Sequence, residues 1–222
     1  MRNQNHRLGV SLVELIVVLA VIAVLCSLGL PAVMMARETA RIASCQSNLR
    51  QIGISFHTIA SARGRLPRNQ PTPWTISVVR EWERPTIENA IPAGTNEALV
   101  AWDLLPLAMH PIKNLRCPTA KEVLVDGRHI SNYGMNQYLP NSKLEGIPDG
   151  SSNTLLAGEI PSEFAALWTW GPMSVVENMG SSHSHRVHSV QADGSVRSIR
   201  WPVDPKLLAS LFIPDDGRSL DE

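Results

Sequence analysis

The hydrophobic positions of the chain fall into two regions with different patterns. From Val10 to Leu30 nearly every residue is apolar or small, and the exceptions are Ser11, Glu14 and Ser27. This run is as long as the roughly 20 residues that a helix needs to cross a bilayer. It continues past Pro31 without the small-residue exit site of a cleaved secretory signal. The pattern therefore predicts a membrane-spanning helix.

After Pro31 the apolar residues form one stripe along an amphipathic helix. The stripe recurs at spacings of 3 and 4 and contains Ile42, Cys45, Leu49, Ile52, Phe56 and Ile59. This spacing places the side chains on one helix face, and Gly64 with Pro67 marks the end. We predict one helix over 10–63, membrane-spanning over 10–30. Its second part is expected to pack on a soluble domain rather than form a coiled-coil dimer, because a long globular segment follows.

Turn signals divide residues 64–222 into short elements. The predicted elements are a short one at Trp74–Trp82, strand segments at Asn132–Leu139, Asn153–Ile160 and Trp168–Pro172, a hairpin of Arg186–Gln191 with Val196–Trp201, and a terminal helix Pro205–Phe212 capped by Asp204. One long helix followed by antiparallel strands is an α+β pattern.

Charge and motif content limit the function classes. The 20 basic and 20 acidic residues balance, and no Lys/Arg block is present, so no nucleic-acid partner is predicted. The sequence contains no nucleophile elbow, phosphate loop or Cys-x-x-Cys pair. We therefore predict no enzyme activity.

A carboxylate inside the apolar run needs an explanation, because an ionised group in a membrane helix costs a few kcal/mol unless it has a partner or reaches the headgroups. The stretch Gly9-Val10-Ser11-Leu12-Val13-Glu14 resembles the type IV prepilin processing site, with Val10 where that family usually has Phe. The resemblance implies cleavage between Gly9 and Val10, removal of leader residues 1–9 and methylation of Val10. It also implies that Glu14 neutralises a terminal amine during filament assembly, and Pro31 matches a proline common in pilin helices.

This resemblance implies a pilin-like α+β fold and a structural subunit of a type II secretion pseudopilus or type IV pilus-like filament. The implied partners are a prepilin peptidase, other copies or related pilin subunits, and an inner-membrane assembly platform. Residues 64–222 would then lie in the periplasm or otherwise outside the cytoplasm, and the basic leader favours a cytoplasmic N-terminus before processing. The alternative is an uncleaved, singly anchored envelope protein with a metal-dependent hydrolase or ligand-binding domain.

Two cysteines outside the apolar run could join the helix to the domain. Cys45 lies on the apolar stripe and Cys117 precedes Pro118. A disulfide between them in an oxidising compartment would close a loop of roughly 70 residues and contribute about 4 kcal/mol in the chain-entropy model. Two buried free thiols are the other interpretation.

Further motifs make the resemblance more specific. The segment from Ser44 to Gly53, the Cys117-Pro118 pair, the segment Asp149-Gly150-Ser151-Ser152-Asn153-Thr154 leading to Gly158-Glu159, and His183 with nine residues before Asp193-Gly194 resemble a large pilin-like family abundant in planctomycetes. Where that family commonly has Pro-Gly-Gly after the histidine, this chain has Ser184-His185-Arg186.

Two weak metal candidates remain. His183, His185, His188 and Asp193 could meet at the mouth of the hairpin, but no glutamate is evidently placed as a general base, and we favour a structural turn at Asp193-Gly194. Asp149 and Asn153 offer oxygen ligands suited to calcium, although side chains that cap their own turn explain this segment better. We therefore predict no cofactor, with calcium at Asp149 and Asn153 as the weaker alternative.

Overall fold

The computed structural model describes residues 11–67, 74–82, 109, 111–139, 142–163, 165–167, 179–180 and 182–214. The predicted leader, the Gly9–Val10 junction and the strand segment predicted at Trp168–Pro172 lie outside these residues. The chain forms two compact units, one ending at Ala40 and the other beginning at Arg41.

The first described element is helix α1, Leu12–Arg63, which confirms the predicted long helix. It continues through Pro31. In the first unit the large apolar side chains of this helix are between 49% (Ile22) and 72% (Met35) exposed. The helix is long and apolar enough to cross a membrane, and none of the residues in its most apolar window is buried. A surface of this kind needs an apolar environment.

The second unit contains the remaining helices and all described strands. The elements after α1 are α2 (Trp74–Trp82), a short 3₁₀ helix (Lys113–Leu115), β1 (Leu124–Val125), β2 (Arg128–Ser131), β3 (Tyr133–Met135), β4 (Leu155–Glu159), β5 (Ala166–Leu167), β6 (Arg186–Gln191), β7 (Val196–Arg200) and α3 (Pro205–Phe212). Strands β3, β4, β6 and β7 form one antiparallel sheet in the order β3-β4-β6-β7, and β1, β2 and β5 form a smaller one. This is the predicted α+β, pilin-like architecture.

The predicted hairpin and terminal helix are both present. Strands β6 and β7 pair from Arg186 with Arg200 to Val190 with Val196. Helix α3 begins where the carboxylate of Asp204 accepts a hydrogen bond from the backbone N–H of Lys206 at 2.7 Å. An N-cap carboxylate followed by proline is a strong local signal for the start of a helix. The hairpin and α3 are therefore predictable from residues close to them in the sequence.

The apolar stripe of α1 forms the main core. Cys45, Leu49, Ile52, Phe56 and Ile59 are buried, as the spacing predicted, whereas Ile42 at the start of the stripe is only partly buried. Residues from Leu49 onward pack in one cluster with Trp74 of α2, Met135 of β3, Leu156 of β4 and Val190 of β6. A second cluster joins Leu155 and Val187 to Leu211 and Phe212 of α3. Because strand side chains alternate, the central sheet has a core on each face.

Candidate functional site

Four buried side chains with metal-ligating atoms converge within the second unit. They are Cys45, Cys117, Glu159 and His183, and their donor atoms all lie within 4.8 Å of one another. We call these four residues the Cys–His–Glu cluster. The structure brings together the two cysteines and the signature histidine of the sequence analysis, and it adds a glutamate.

Each member of the cluster comes from a different element. Cys45 lies on the buried stripe of α1, and Glu159 is the last residue of β4. Cys117 follows the 3₁₀ helix, and its backbone N–H donates to the side-chain oxygen of Asn132 at 3.3 Å. His183 precedes β6 and is 4% exposed. The cluster therefore depends on packing of the helix against the sheet and two loops.

The two sulfur atoms and the imidazole form a close triangle. The Cys45 and Cys117 Sγ atoms lie 2.7 Å apart, and His183 Nε2 lies 3.2 Å from Cys45 Sγ and 3.3 Å from Cys117 Sγ. The hydrogen bond from Cys45 lowers the pKa of Cys117, and a further hydrogen bond from His183 acts in the same direction. The same sulfur–sulfur hydrogen bond, together with burial, raises the pKa of Cys45. In the reduced pair, Cys117 is therefore expected to lose its proton before Cys45.

One carboxylate oxygen of Glu159 faces the triangle, and the other contacts His188. Its Oε2 accepts hydrogen bonds from the backbone N–H of His188 at 2.9 Å and from His188 Nδ1 at 3.1 Å. Its Oε1 is buried, has no hydrogen-bond partner among the residues that the structure describes, and lies 3.7 Å from His183 Nε2. A buried carboxylate oxygen in this state is unfavourable unless a cation or proton satisfies it.

The grouping of three histidines with Asp193 is only partly present. His183 and His188 pack edge to face with ring centroids 5.3 Å apart. His185 is exposed, with a positive φ of 59°. Asp193 is exposed, and its carboxylate accepts from the backbone N–H of Ser195 at 2.8 Å within the hairpin turn. The favoured interpretation of Asp193-Gly194 as a turn is therefore what the structure shows.

The turn at Asp193-Gly194 also contacts two other segments of the sequence signature, the one that ends at Thr154 and the one that ends at Gly53. The backbone N–H groups of Ala192 and Asp193 donate to the carbonyls of Thr154 and Ser151 at 2.8 and 3.0 Å. Gly194 has a φ of +85°, which favours glycine. A Cβ atom placed on Gly53 of α1 would lie 2.7 Å from Val190 Cγ2 and 3.8 Å from the Gly194 Cα atom. The signature glycines thus permit close packing of helix and hairpin.

The segment that contains Asp149 and Asn153 is a self-bonded turn. Asn153 Nδ2 donates to the backbone carbonyl of Asp149 at 3.1 Å, and Thr154 Oγ1 donates to that of Gly150 at 3.1 Å. Gly150 has a φ of +87°. These bonds match the turn-capping role considered for the segment, and the calcium alternative remains a prediction.

Glu14 lies in a local arrangement that the sequence analysis missed. Its Oε2 accepts from the backbone N–H of Ser11 at 2.8 Å, and Ser11 Oγ accepts from the N–H of Val13 at 3.3 Å. Together the two bonds form a capping box in which Ser11 Oγ accepts from the N–H of Val13 rather than from that of Glu14, and the Ser-x-x-Glu spacing was the signal for it. The carboxylate therefore already satisfies an N–H group at the start of α1.

Sequence reasoning also missed Glu159 as a member of the cluster. The Gly158-Glu159 pair stood in the family signature, but nothing local linked it to the cysteines. The useful signal was chemical. A lone glutamate within a strand whose five residues are all buried has to meet a cation, a proton or hydrogen-bond donors.

Comparisons with known families support the sequence resemblance. Residues 4–30 match the prokaryotic N-terminal methylation motif, and residues 34–108 match a family described as a protein of unknown function, DUF1559. No curated protein and no solved structure matches the chain significantly.

Proposed function

We propose that this chain, which two prepilin-type family models match, is a prepilin-like structural filament subunit that is cleaved after Gly9 and N-methylated at Val10. The observation that carries this proposal is the methylation motif over 4–30, directly at the start of a helix whose apolar side chains are exposed. In a filament, apolar helices of neighbouring subunits cover one another after they leave the bilayer. A pseudopilus of the type II secretion class or a type IV pilus-like fibre would have this construction.

The proposal gives Glu14 a second partner. Cleavage after Gly9 would leave the Val10 amine one residue before Ser11, whose N–H already donates to the Glu14 carboxylate. A buried amine and a buried carboxylate are each unfavourable alone, and pairing offsets part of their desolvation. Glu14 would bind either its own terminal amine or that of the neighbouring subunit, and only the second contact promotes assembly.

The proposed location and partners follow from the same processing. Before cleavage the leader lies in the cytoplasm, the apolar part of α1 spans the inner membrane once, and the second unit lies on the extracytoplasmic side. A prepilin peptidase removes the leader, and an inner-membrane assembly platform adds the subunit to others of its kind. The alternative of an uncleaved anchored hydrolase has no support from either family match.

Mass spectrometry of the chain from membranes of its producing cell tests the processing step. We expect a mature N-terminus at N-methylated Val10. Gly9→Leu should retain Met1, whereas Gly29→Leu should be processed normally, because a Cβ atom at Gly29 meets nothing within 4 Å. A wild-type chain that keeps an intact Met1 in cells with an active prepilin peptidase would contradict the proposal.

Glu14→Gln tests the assembly step while preserving the capping box, because glutamine at this position also accepts from the Ser11 N–H. We expect membrane insertion to be unchanged and the yield of sheared filaments to fall at least tenfold. Glu38→Gln on the same helix is the matched control and should assemble normally. Normal assembly of Glu14→Gln would show that the carboxylate charge has no part in it.

A further inference from the structure

The starting point is the unpartnered oxygen of Glu159. Its Oε1 is buried, faces His183 Nε2 at 3.7 Å, and accepts no hydrogen bond within the described part of the chain. Its Oε2 is fixed by two hydrogen bonds from His188, so the carboxylate cannot turn away without breaking both. A positively charged group at the centre of the Cys–His–Glu cluster would satisfy the free oxygen.

The donor set identifies the kind of cation. Two cysteine sulfurs, one imidazole nitrogen and one carboxylate oxygen lie within 4.8 Å of one another. Magnesium and calcium prefer oxygen ligands, whereas thiolates and imidazole in a four-donor set are typical of zinc. We propose that Cys45, Cys117, His183 and Glu159 bind one zinc ion in a tetrahedral structural site.

The residues around the cluster have the arrangement that a metal site requires. Ligating carboxylates in such sites are themselves held by hydrogen bonds, and His188 supplies two to Glu159. The ring of Tyr133 is fully buried, its hydroxyl accepts a hydrogen bond from Asn48 Nδ2 at 3.2 Å, and its proximity lowers the pKa of Cys45. The ligand on β4 is therefore oriented by His188, and the Cys117 backbone by Asn132, and neither neighbour binds the ion.

The site would be structural rather than catalytic. All four donors come from the protein and all four residues are buried, so no coordination position is left for water or substrate. The ion would tie α1 to the end of β4 and to the two segments that carry Cys117 and His183. This role does not depend on filament assembly, so the zinc site and the proposed function can fail separately.

A Cys45–Cys117 disulfide is the competing state of the same atoms. It would fix α1 to the Cys117 loop but would leave the Glu159 carboxylate and the His183 ring facing two neutral sulfurs. Zinc uses all four groups. Zinc–sulfur bonds of about 2.3 Å in a tetrahedron separate the sulfurs by roughly 3.8 Å. The sulfurs now lie 2.7 Å apart, so metal binding requires them to move apart by about 1 Å.

The experiment uses the full chain in detergent, purified with reductant and without a histidine tag. We expect about one zinc per chain by elemental mass spectrometry. After zinc removal, cobalt(II) should bind and give the visible bands of a tetrahedral site and the near-ultraviolet sulfur-to-cobalt charge-transfer band. Zinc should displace the cobalt.

Three variants locate the site. Cys117→Ser should lower the intensity of the charge-transfer band by at least half, since only Cys45 remains as a sulfur ligand, and Glu159→Gln should weaken cobalt binding at least tenfold while retaining both thiolates. Cys26→Ser is the matched control, because Cys26 is exposed in the apolar part of α1, and it should bind cobalt like wild type. If Cys117→Ser does not fold, the wild-type spectrum and Glu159→Gln still decide the question.

Two results would overturn the proposal. The first is a reduced, folded chain that binds neither zinc nor cobalt at micromolar concentration. The second is a chain from its producing cell that contains a Cys45–Cys117 disulfide by peptide mass spectrometry and no zinc. Absence of filaments would leave the proposal intact, since the metal measurement is made on the isolated chain.

Discussion

Glu159 accepts two hydrogen bonds from a single residue, His188, one from the backbone N–H at 2.9 Å and one from ring Nδ1 at 3.1 Å. Because Oε2 already accepts a hydrogen bond from the backbone N–H, we assign the proton of the second contact to Nδ1. Both side chains are almost fully buried. The pair joins the end of β4 to β6 and fixes the glutamate at the Cys–His–Glu cluster.

His188→Ala should therefore destabilise the fold by about 2–4 kcal/mol, because it leaves a buried carboxylate with one fewer donor. Urea unfolding of the reduced chain, followed by circular dichroism, measures the change. His129→Ala on β2 is the control, since that side chain is only partly buried, and its effect should be below about 1 kcal/mol. Equal effects of the two substitutions would show that the Glu159–His188 pair is not specifically stabilising.

The cysteine pair should titrate one proton at a time in the reduced, metal-free chain. The pKa of Cys117 is lowered by the hydrogen bond from Cys45, whereas the pKa of Cys45 is raised because its proton is held in that bond. One thiolate should thus be present at pH 7, and its absorbance at 240 nm should fall as pH decreases through the lowered pKa of Cys117. Cys117→Ser should remove this step and Cys26→Ser should retain it. Two thiols titrating together in the ordinary range would contradict this order of deprotonation.

Gly53→Ala should destabilise the contact between α1 and the hairpin. The new Cβ atom would lie 2.7 Å from Cγ2 of the fully buried, β-branched Val190. We expect a loss of about 1–3 kcal/mol from overpacking, which exceeds the gain of up to about 1 kcal/mol in helix propensity.

The control for this contact is Gly29→Ala, because a Cβ atom there meets nothing within 4 Å. Its free energy of unfolding in urea should be unchanged or slightly higher. Combining Gly53→Ala with Val190→Ala should destabilise by less than the sum of the two single changes. If the two effects are additive, the destabilisation by Gly53→Ala does not arise from contact with Val190.

Asn136 should be essential for attachment of the terminal helix. Its fully buried Nδ2 donates to the backbone carbonyls of Leu155 and Phe212, each at 2.8 Å. Asn136→Asp keeps the size of the side chain but replaces the donor with an acceptor facing two carbonyl oxygens. We expect a loss of roughly 2–4 kcal/mol at pH 7 by thermal or urea unfolding.

Asn153→Asp is the control for that prediction. The side chain of Asn153 is only partly buried and donates to the Asp149 carbonyl. Asn153→Asp should therefore lower the free energy of unfolding by only about 1 kcal/mol. Hydrogen exchange should also show faster opening of 205–212 in Asn136→Asp. Unchanged exchange there would mean that α3 is held by its apolar contacts alone.

The sequence by itself determined the elements whose signals are local. The 3 and 4 spacing from Ile42 to Ile59 marked the buried face of α1, Asp193-Gly194 marked the hairpin, and Asp204-Pro205 marked the start of α3. These patterns act over a few residues, where helix and turn geometry alone decide which side chains share a face. The Ser11–Glu14 capping box was equally local and could have been found from its spacing.

Only the tertiary structure decided which distant side chains meet. Cys45 and His183 are 138 positions apart, yet their side chains lie 3.2 Å from each other. The same packing selected Glu159 for the cluster and left His185 exposed beside the hairpin. Periodicity assigns a residue to a buried or exposed face, but it carries no information about which buried residues of different elements are neighbours. That information arises when the apolar stripe of α1 packs on the sheet, because close packing allows one arrangement of the facing side chains.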